Sequence, residues 1–229
     1  MDVRHETGER LGGYGCHLRI DAARPLTELT AEVNAFCARA DGERAPKAFV
    51  VWLSDGPAVD RSWPGEVGTT DVTRWEKAVR ALERIPAVSI AAVAGTCGGP
   101  ALDLLLATDY RFATADLRLL LPVSDGHFWP GMAVHRLVTQ VGVARARQLV
   151  LWGTQLSVAR AVDVGLVDEV VDDLDDAVRA ATVWLGRDAG SELAVRRQLL
   201  LEAAVTGYEE ALGVHLAACD RELRRRAEK

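Results

Sequence analysis

The stretch Ile90–Tyr110, IAAVAGTCGGPALDLLLATDY, decides how the chain is read. An apolar, strand-like run breaks at paired glycines and passes straight into an apolar helix. Gly98 and Gly99 let backbone N–H groups approach a ligand closely, and the helix that follows directs its positive end the same way. Such a turn suits a carbonyl that becomes an oxyanion. The next residue, however, is Pro100, which has no N–H to give and is well suited to the first position of a helix.

Working outward, the pattern alternates strands with helices. His17–Asp21 reads as a short strand, and Leu26, Leu29, Val33, Phe36 and Cys37 share one helical face that ends at Asp41 and Gly42. Phe49–Leu53, FVVWL, reads as a buried strand, followed by a long loop, SDGPAVDRSWPGEVG, over Ser54–Gly68. Val72, Trp75, Val79 and Leu82 mark a second amphipathic helix that stops before Pro86. Tyr110–Ala113 and Leu117–Val123 read as strands, and Ser124–Ala133 as a second long loop. The remainder is mostly helical, with breaks at Gly153, Gly165 and Gly186 to Gly190. This order implies an α/β fold whose two long loops are the natural place for a site.

Composition bounds the function. A chain of 229 residues, 49% of them hydrophobic, supports one sizeable core with a helical appendage. The net charge of −6 argues against nucleic acid as a partner, and the basic run Arg221–Arg226 reads as the solvated end of a helix. Cys16, Cys37, Cys97 and Cys219 are far apart, which favours neither disulfides nor a metal site. No secretory signal and no membrane-spanning run is visible, so the expected location is the cytoplasm.

IPAVSIAAVAGTCGGPALDLLLATDYRFAT (Ile85–Thr114) and the segment LRLLLPVSDGHFWPGMAVHRLVTQVG onward, Leu117–Val171, resemble the enoyl-CoA hydratase/isomerase (crotonase) superfamily. The resemblance implies a crotonase fold: a repeated ββα spiral core over residues 1–185 and C-terminal helices over 186–229 that build a homo-trimer or hexamer. Leu212, Leu216 and Leu223 on the closing helix are then either core or contacts with a neighbouring subunit. The family holds an acyl-CoA thioester and stabilises its enolate with two backbone N–H groups. The expected ligand is therefore a coenzyme A thioester as substrate, with no separate cofactor and no metal.

Carried over position by position, the family's first catalytic glutamate falls on Asp103, one methylene shorter. Its second glutamate falls on Val123, which transfers no proton. The middle glycine of the family's glycine triplet, an oxyanion donor, falls on Pro100, leaving Gly99 or Ala101 as substitutes. For the other donor, Val59 in Ala58-Val59-Asp60 and the segment Trp63-Pro64-Gly65 are alternatives. Asp103 is expected to be catalytic or a helix-dipole partner. Asp125 and His127 are either a replacement acid/base pair or a solvated loop. Trp63 and Trp129, each followed by Pro-Gly, line a pocket for a flat acyl chain or form a hydrophobic patch.

CGGPALDLLLATDYR, LRLLLPV and WPGMAVHRL look closest to one subgroup, the B-type accessory crotonase homologue (DpgB type) of 3,5-dihydroxyphenylglycine biosynthesis in glycopeptide antibiotic producers. That resemblance implies a type III polyketide synthase as partner. The crotonase-like protein assists formation of 3,5-dihydroxyphenylacetyl-CoA, by dehydration and aromatisation or as a non-catalytic scaffold. A third expectation is a stand-alone acyl-CoA hydratase/isomerase with relocated catalytic groups.

Overall fold

Continuous apolar runs make strands buried on both faces, and in this chain they pair in parallel. The computed structural model describes residues 15–40, 48–54, 66–121, 123–124, 127–152, 155–188, 191–203 and 205–227. The first half contains β1 (Gly15–Asp21), α1 (Leu26–Ala40), β2 (Ala48–Ser54), α2 (Thr69–Glu83) and β3 (Val88–Val93). Next come β4 (Thr96–Cys97), α3 (Pro100–Leu106), β5 (Tyr110–Ala113), β6 (Arg118–Leu119), β7 (Val123–Ser124) and β8 (His127–Phe128). The chain continues with α4 (Ala133–Trp152), β9 (Leu156–Ser157), α5 (Val158–Asp163), β10 (Glu169–Val170) and α6 (Leu174–Asp188). Two further helices, α7 (Ser191–Ala203) and α8 (Tyr208–Ala227), complete it.

The main sheet has five strands in the order β1-β2-β3-β5-β10, all parallel. Residues 1–187 and 188–229 form two compact units, the second built by α7 packed on α8. In the first unit, α1 buries Leu26, Leu29, Val33 and Phe36, and α2 buries Trp75, Ala78, Val79 and Leu82. Both stripes recur at helical spacing and share a core with Leu18, Phe49, Val51, Leu53, Ala91 and Val93 of the sheet. The rings of Phe36 and Phe49, 5.5 Å apart, join helix to sheet.

What positions the candidate site is the path between β3 and β5. The sequence reading ends the strand at the paired glycines, but the chain leaves the main sheet earlier. Gly95, at φ 64, turns it away, and β4 pairs with β6 in a separate three-stranded sheet with β9. The two glycines then serve different ends. At Gly98 a Cβ would lie 3.0 Å from the Leu120 Cβ and 3.4 Å from its carbonyl oxygen, so this glycine admits the neighbouring strand rather than a ligand. Gly99, at φ 53 and ψ −128, takes a backbone conformation closed to other residues and caps α3, with Pro100 in its first turn.

Every residue of α3 is buried. Its C-terminal carbonyls, orphaned by helix geometry, are met by Arg111. Arg111 donates from Nε to the Leu105 oxygen at 2.9 Å and from Nη2 to that of Thr108 at 2.9 Å. Gln140 of α4 donates to the Leu106 oxygen and accepts from Arg111 at 2.8 Å. A buried cation at a helix C-terminus also complements its dipole. These bonds fix α3, and with it Asp103.

Elsewhere the structure corrects the reading. The strand expected over Leu117–Val123 is only Arg118–Leu119, and the second long loop contains the hairpin β7–β8, with Val123 opposite Phe128 and Ser124 opposite His127. The long helix α4 breaks at Gly142, φ 76, a position the reading passed over. Gly165, at φ 81, follows the cap of α5 as expected, whereas Gly186 lies inside α6. Gly153, Asp41, Gly42 and most of the first long loop lie outside the described residues. No helix among the described residues is long and apolar enough to cross a membrane.

Candidate active site

Asp103 sits one turn into α3 and is 5% exposed. Its partners are side chains from two other helices, not the N–H groups of its own first turn. The Trp75 indole of α2 donates from Nε1 to Asp103 Oδ2 at 2.9 Å. Arg136 of α4 places Nη1 3.6 Å from Asp103 Oδ1 and donates from Nη2 to Glu76 Oε2 at 3.1 Å. The second oxygen of Glu76 accepts from the Met132 backbone N–H at 3.3 Å. Burial, reinforced by the Glu76 carboxylate, pushes the Asp103 carboxyl from its ordinary 3.8 up to about 7. The Trp75 hydrogen bond and the Arg136 charge pull the other way, but desolvation wins.

The backbone donors sort themselves equally clearly. Pro100 has none, and the Ala101 N–H is spent on the Gly98 oxygen at 3.1 Å, which removes it as a substitute. No acceptor among the described residues takes the Gly99 N–H. Gly99 and Asp103 thus stand one helical turn apart, a backbone donor followed by a titratable carboxyl.

Trp129 is half-buried against the core. Its indole lies so close to Gly131 that a Cβ there would meet Nε1 at 2.9 Å, and Glu76 Oε1 lies 3.9 Å from the same point. Trp129 is therefore brought to the edge of the Asp103 cluster. Val59, Trp63 and Asp125 lie outside the described residues, as do the side chains of Val123 and His127, whose backbones form the β7–β8 hairpin. Among the described residues no three His, Cys, Asp or Glu side chains group to hold a metal.

Sequence reasoning took Trp75 as core alone and did not single out Glu76 or Arg136. One signal was available for Arg136. Ala133, Arg136 and Leu137 fall at helical spacing on one buried face, so a charge there had to find a partner.

Comparison with known proteins places the chain in a family. A family model described as enoyl-CoA hydratase/isomerase matches residues 67–223. A protein of Amycolatopsis orientalis named enoyl-CoA-hydratase is 43% identical over 211 residues, 92% of this chain and 96% of its own length. The chain belongs to the enoyl-CoA hydratase/isomerase family. Among solved structures, an enoyl-CoA hydratase of Mycobacterium smegmatis superposes with a TM-score of 0.79 at 21% identity, over 93% of this chain and 89% of that one. A family member from Silicibacter pomeroyi gives 0.79 at 20% identity, over 95% and 98%. At that identity they speak to the fold, which is the crotonase fold.

Proposed function

We propose that this crotonase-family chain binds an acyl-CoA thioester and promotes loss of water through its enolate, with Asp103 as the acid/base group and the Gly99 N–H as an oxyanion donor. The observation that carries this reading is the buried Asp103 carboxyl with a pKa of about 7, one turn from an N–H that no described acceptor takes. A carboxyl half-ionised near neutrality serves both as base and as acid.

The step balances with one carboxyl. The Asp103 carboxylate takes the α-proton of a β-hydroxyacyl thioester, and the electron pair moves onto the thioester oxygen facing the Gly99 N–H. The enolate then collapses and expels the β-hydroxyl, which takes the proton back from Asp103 and leaves as water. A syn elimination needs no second glutamate, which accords with valine at position 123. A single oxyanion donor is worth on the order of 10²–10³ in rate, so activity below that of a two-donor, two-glutamate hydratase is expected.

The finer proposal follows the subgroup resemblance. The substrate is a poly-β-keto or β-hydroxy acyl-CoA made by a type III polyketide synthase, and the product is 3,5-dihydroxyphenylacetyl-CoA for glycopeptide antibiotic biosynthesis. Aromatisation supplies driving force that compensates for a reduced catalytic apparatus. The working unit in this proposal is a homo-trimer or hexamer in the cytoplasm, assembled through the second unit. That unit exposes Leu200, Leu212, Leu216 and Leu223 along its helices, an apolar surface that suits contact with another subunit.

The test mixes the purified chain with a malonyl-CoA-consuming type III synthase and follows the product by mass spectrometry, beside crotonyl-CoA hydration. Stimulation of aromatic product that disappears in Asp103→Asn supports catalysis by the chain. Stimulation that survives the substitution favours the scaffold reading, to which Pro100 and Val123 point. Rapid crotonyl-CoA hydration without effect on the synthase overturns the synthase partnership.

A further inference from the structure

Arg136 is held in an unusual way for a buried cation. It is 7% exposed and reaches Asp103 and Glu76 from the first turn of α4. Nη2 is committed to Glu76, while Nη1 is buried without a hydrogen-bond partner among the described residues. Asp103 Oδ1 stands 3.6 Å from it, within ion-pair range but beyond a hydrogen bond. A buried donor left unmet costs free energy, so the contact is poised to shorten when the carboxyl gains charge. Glu76 prevents Arg136 from drifting, because its two oxygens grip both the guanidinium and the Met132 N–H of the same turn.

We propose that Arg136, anchored by Glu76, is a positioning residue for Asp103, its unmet Nη1–H closing onto Oδ1 when the carboxyl ionises and letting go when it is protonated. Trp75 holds Oδ2 throughout, so the group keeps one orientation while its proton comes and goes. The inference rests on Asp103 being the acid/base group. The charged groups facing Asp103 are Glu76 from α2 and Arg136 from α4, while β2 contributes no titratable side chain. The two charges act in opposite directions on the same carboxyl: Glu76 raises its pKa and Arg136 lowers it.

That opposition makes the test specific. The readout independent of turnover is the ¹⁵N-indole resonance of Trp75 in the full-length chain, assigned with Trp75→Phe and titrated with pH. Its midpoint is expected near 7 in the unsubstituted chain. Arg136→Gln moves the midpoint up, by about one pH unit at the low end for an opposite charge this close. Glu76→Gln loses the charge and one of the two acceptor oxygens, keeping a single carbonyl for Arg136 or Met132, and moves the midpoint down. Arg136→Lys keeps the charge, leaves the midpoint near its original value and loses turnover in kcat rather than KM.

The acid limb of β-hydroxyacyl-CoA dehydration follows the same two directions. A merely structural network lowers the melting temperature in both variants and leaves the midpoint fixed, which overturns the proposal. If Arg136→Gln does not fold, the downward movement in Glu76→Gln decides alone. Midpoints that move as stated while turnover ignores them uphold the positioning role and defeat the catalytic reading of Asp103.

Discussion

Replacing Asp103 with asparagine should make the protein more stable at alkaline pH, with the gain growing between about pH 4 and pH 7. The reasoning is linkage. The carboxyl titrates at about 7 in the folded chain and at the ordinary 3.8 when unfolded, so the folded state holds the extra proton in between. Stability is therefore greatest below the unfolded value and is lost as pH rises through the folded one. A lift of about three pH units corresponds to roughly 4 kcal/mol at 1.36 kcal/mol each, an upper figure for a buried carboxyl with charged neighbours. Asparagine carries no charge to desolvate and still offers an oxygen to the Trp75 indole, so it escapes that loss. Urea unfolding of both proteins at pH 5 and pH 8 measures the difference. Asp103→Asn should gain on the original chain by about 2–3 kcal/mol across that interval. A difference that stays flat with pH, or that turns against the variant at pH 8, refutes the claim that burial holds Asp103 near neutrality.

Other outcomes follow from the same geometry. Trp75→Phe removes the hydrogen bond to Asp103 Oδ2 that favours its anion, so the acid limb of activity should move up and unfolding should come about 1.5–3 kcal/mol sooner in urea titrations. Gly98→Ala drives a Cβ to 3.0 Å from Leu120 and should lower the melting temperature, whereas Gly99→Ala strains a φ of 53 at the proposed oxyanion donor itself and should cut turnover as well. Arg111→Met takes the guanidinium donor from the Thr108 carbonyl and Gln140 Oε1, while the Leu105 carbonyl keeps Thr108, and should cost about 1–3 kcal/mol for each acceptor left unmet, by calorimetry or denaturant. Leu216→Glu with Leu223→Glu should reduce the mass measured by light scattering if the second unit mediates assembly.

Local periodicity made much of the fold legible. FVVWL could only be a strand covered on both faces, and the stripes on α1 and α2 announced which sides they bury. The detour at Gly95 was not legible, because β4 exists only by pairing Thr96 with Arg118 and Cys97 with Leu119, contacts that no local window contains. The two-residue strands β9 and β10 were hidden for the same reason, pairing with Arg118–Leu119 and Phe112–Ala113 far away in sequence. The break at Gly142 looked like an ordinary helical glycine until its backbone was seen at φ 76.

The site was legible in its parts but not in its company. The family pattern pointed to Asp103 and to Pro100 by position, and the missing N–H of Pro100 left Gly99 and Ala101 as substitute donors. Beyond burial itself, what tunes the proton affinity of Asp103 arrives from other helices, Trp75 and Glu76 on α2 and Arg136 on α4. Their sequence separations hide that meeting. Of the two substitute donors, the Ala101 N–H is already bonded to the Gly98 oxygen, whereas the Gly99 N–H meets no described acceptor, which is why the proposal takes Gly99.

The central claim is that this chain forms a thioester enolate with Asp103 as the base. It is tested most directly by incubating the protein with 3-hydroxybutyryl-CoA in D₂O and following deuterium at the α-carbon by mass spectrometry. The account predicts exchange by the unsubstituted chain that falls by about 10²–10⁴ in Asp103→Asn. Equal exchange in both proteins, or none in either, would contradict it.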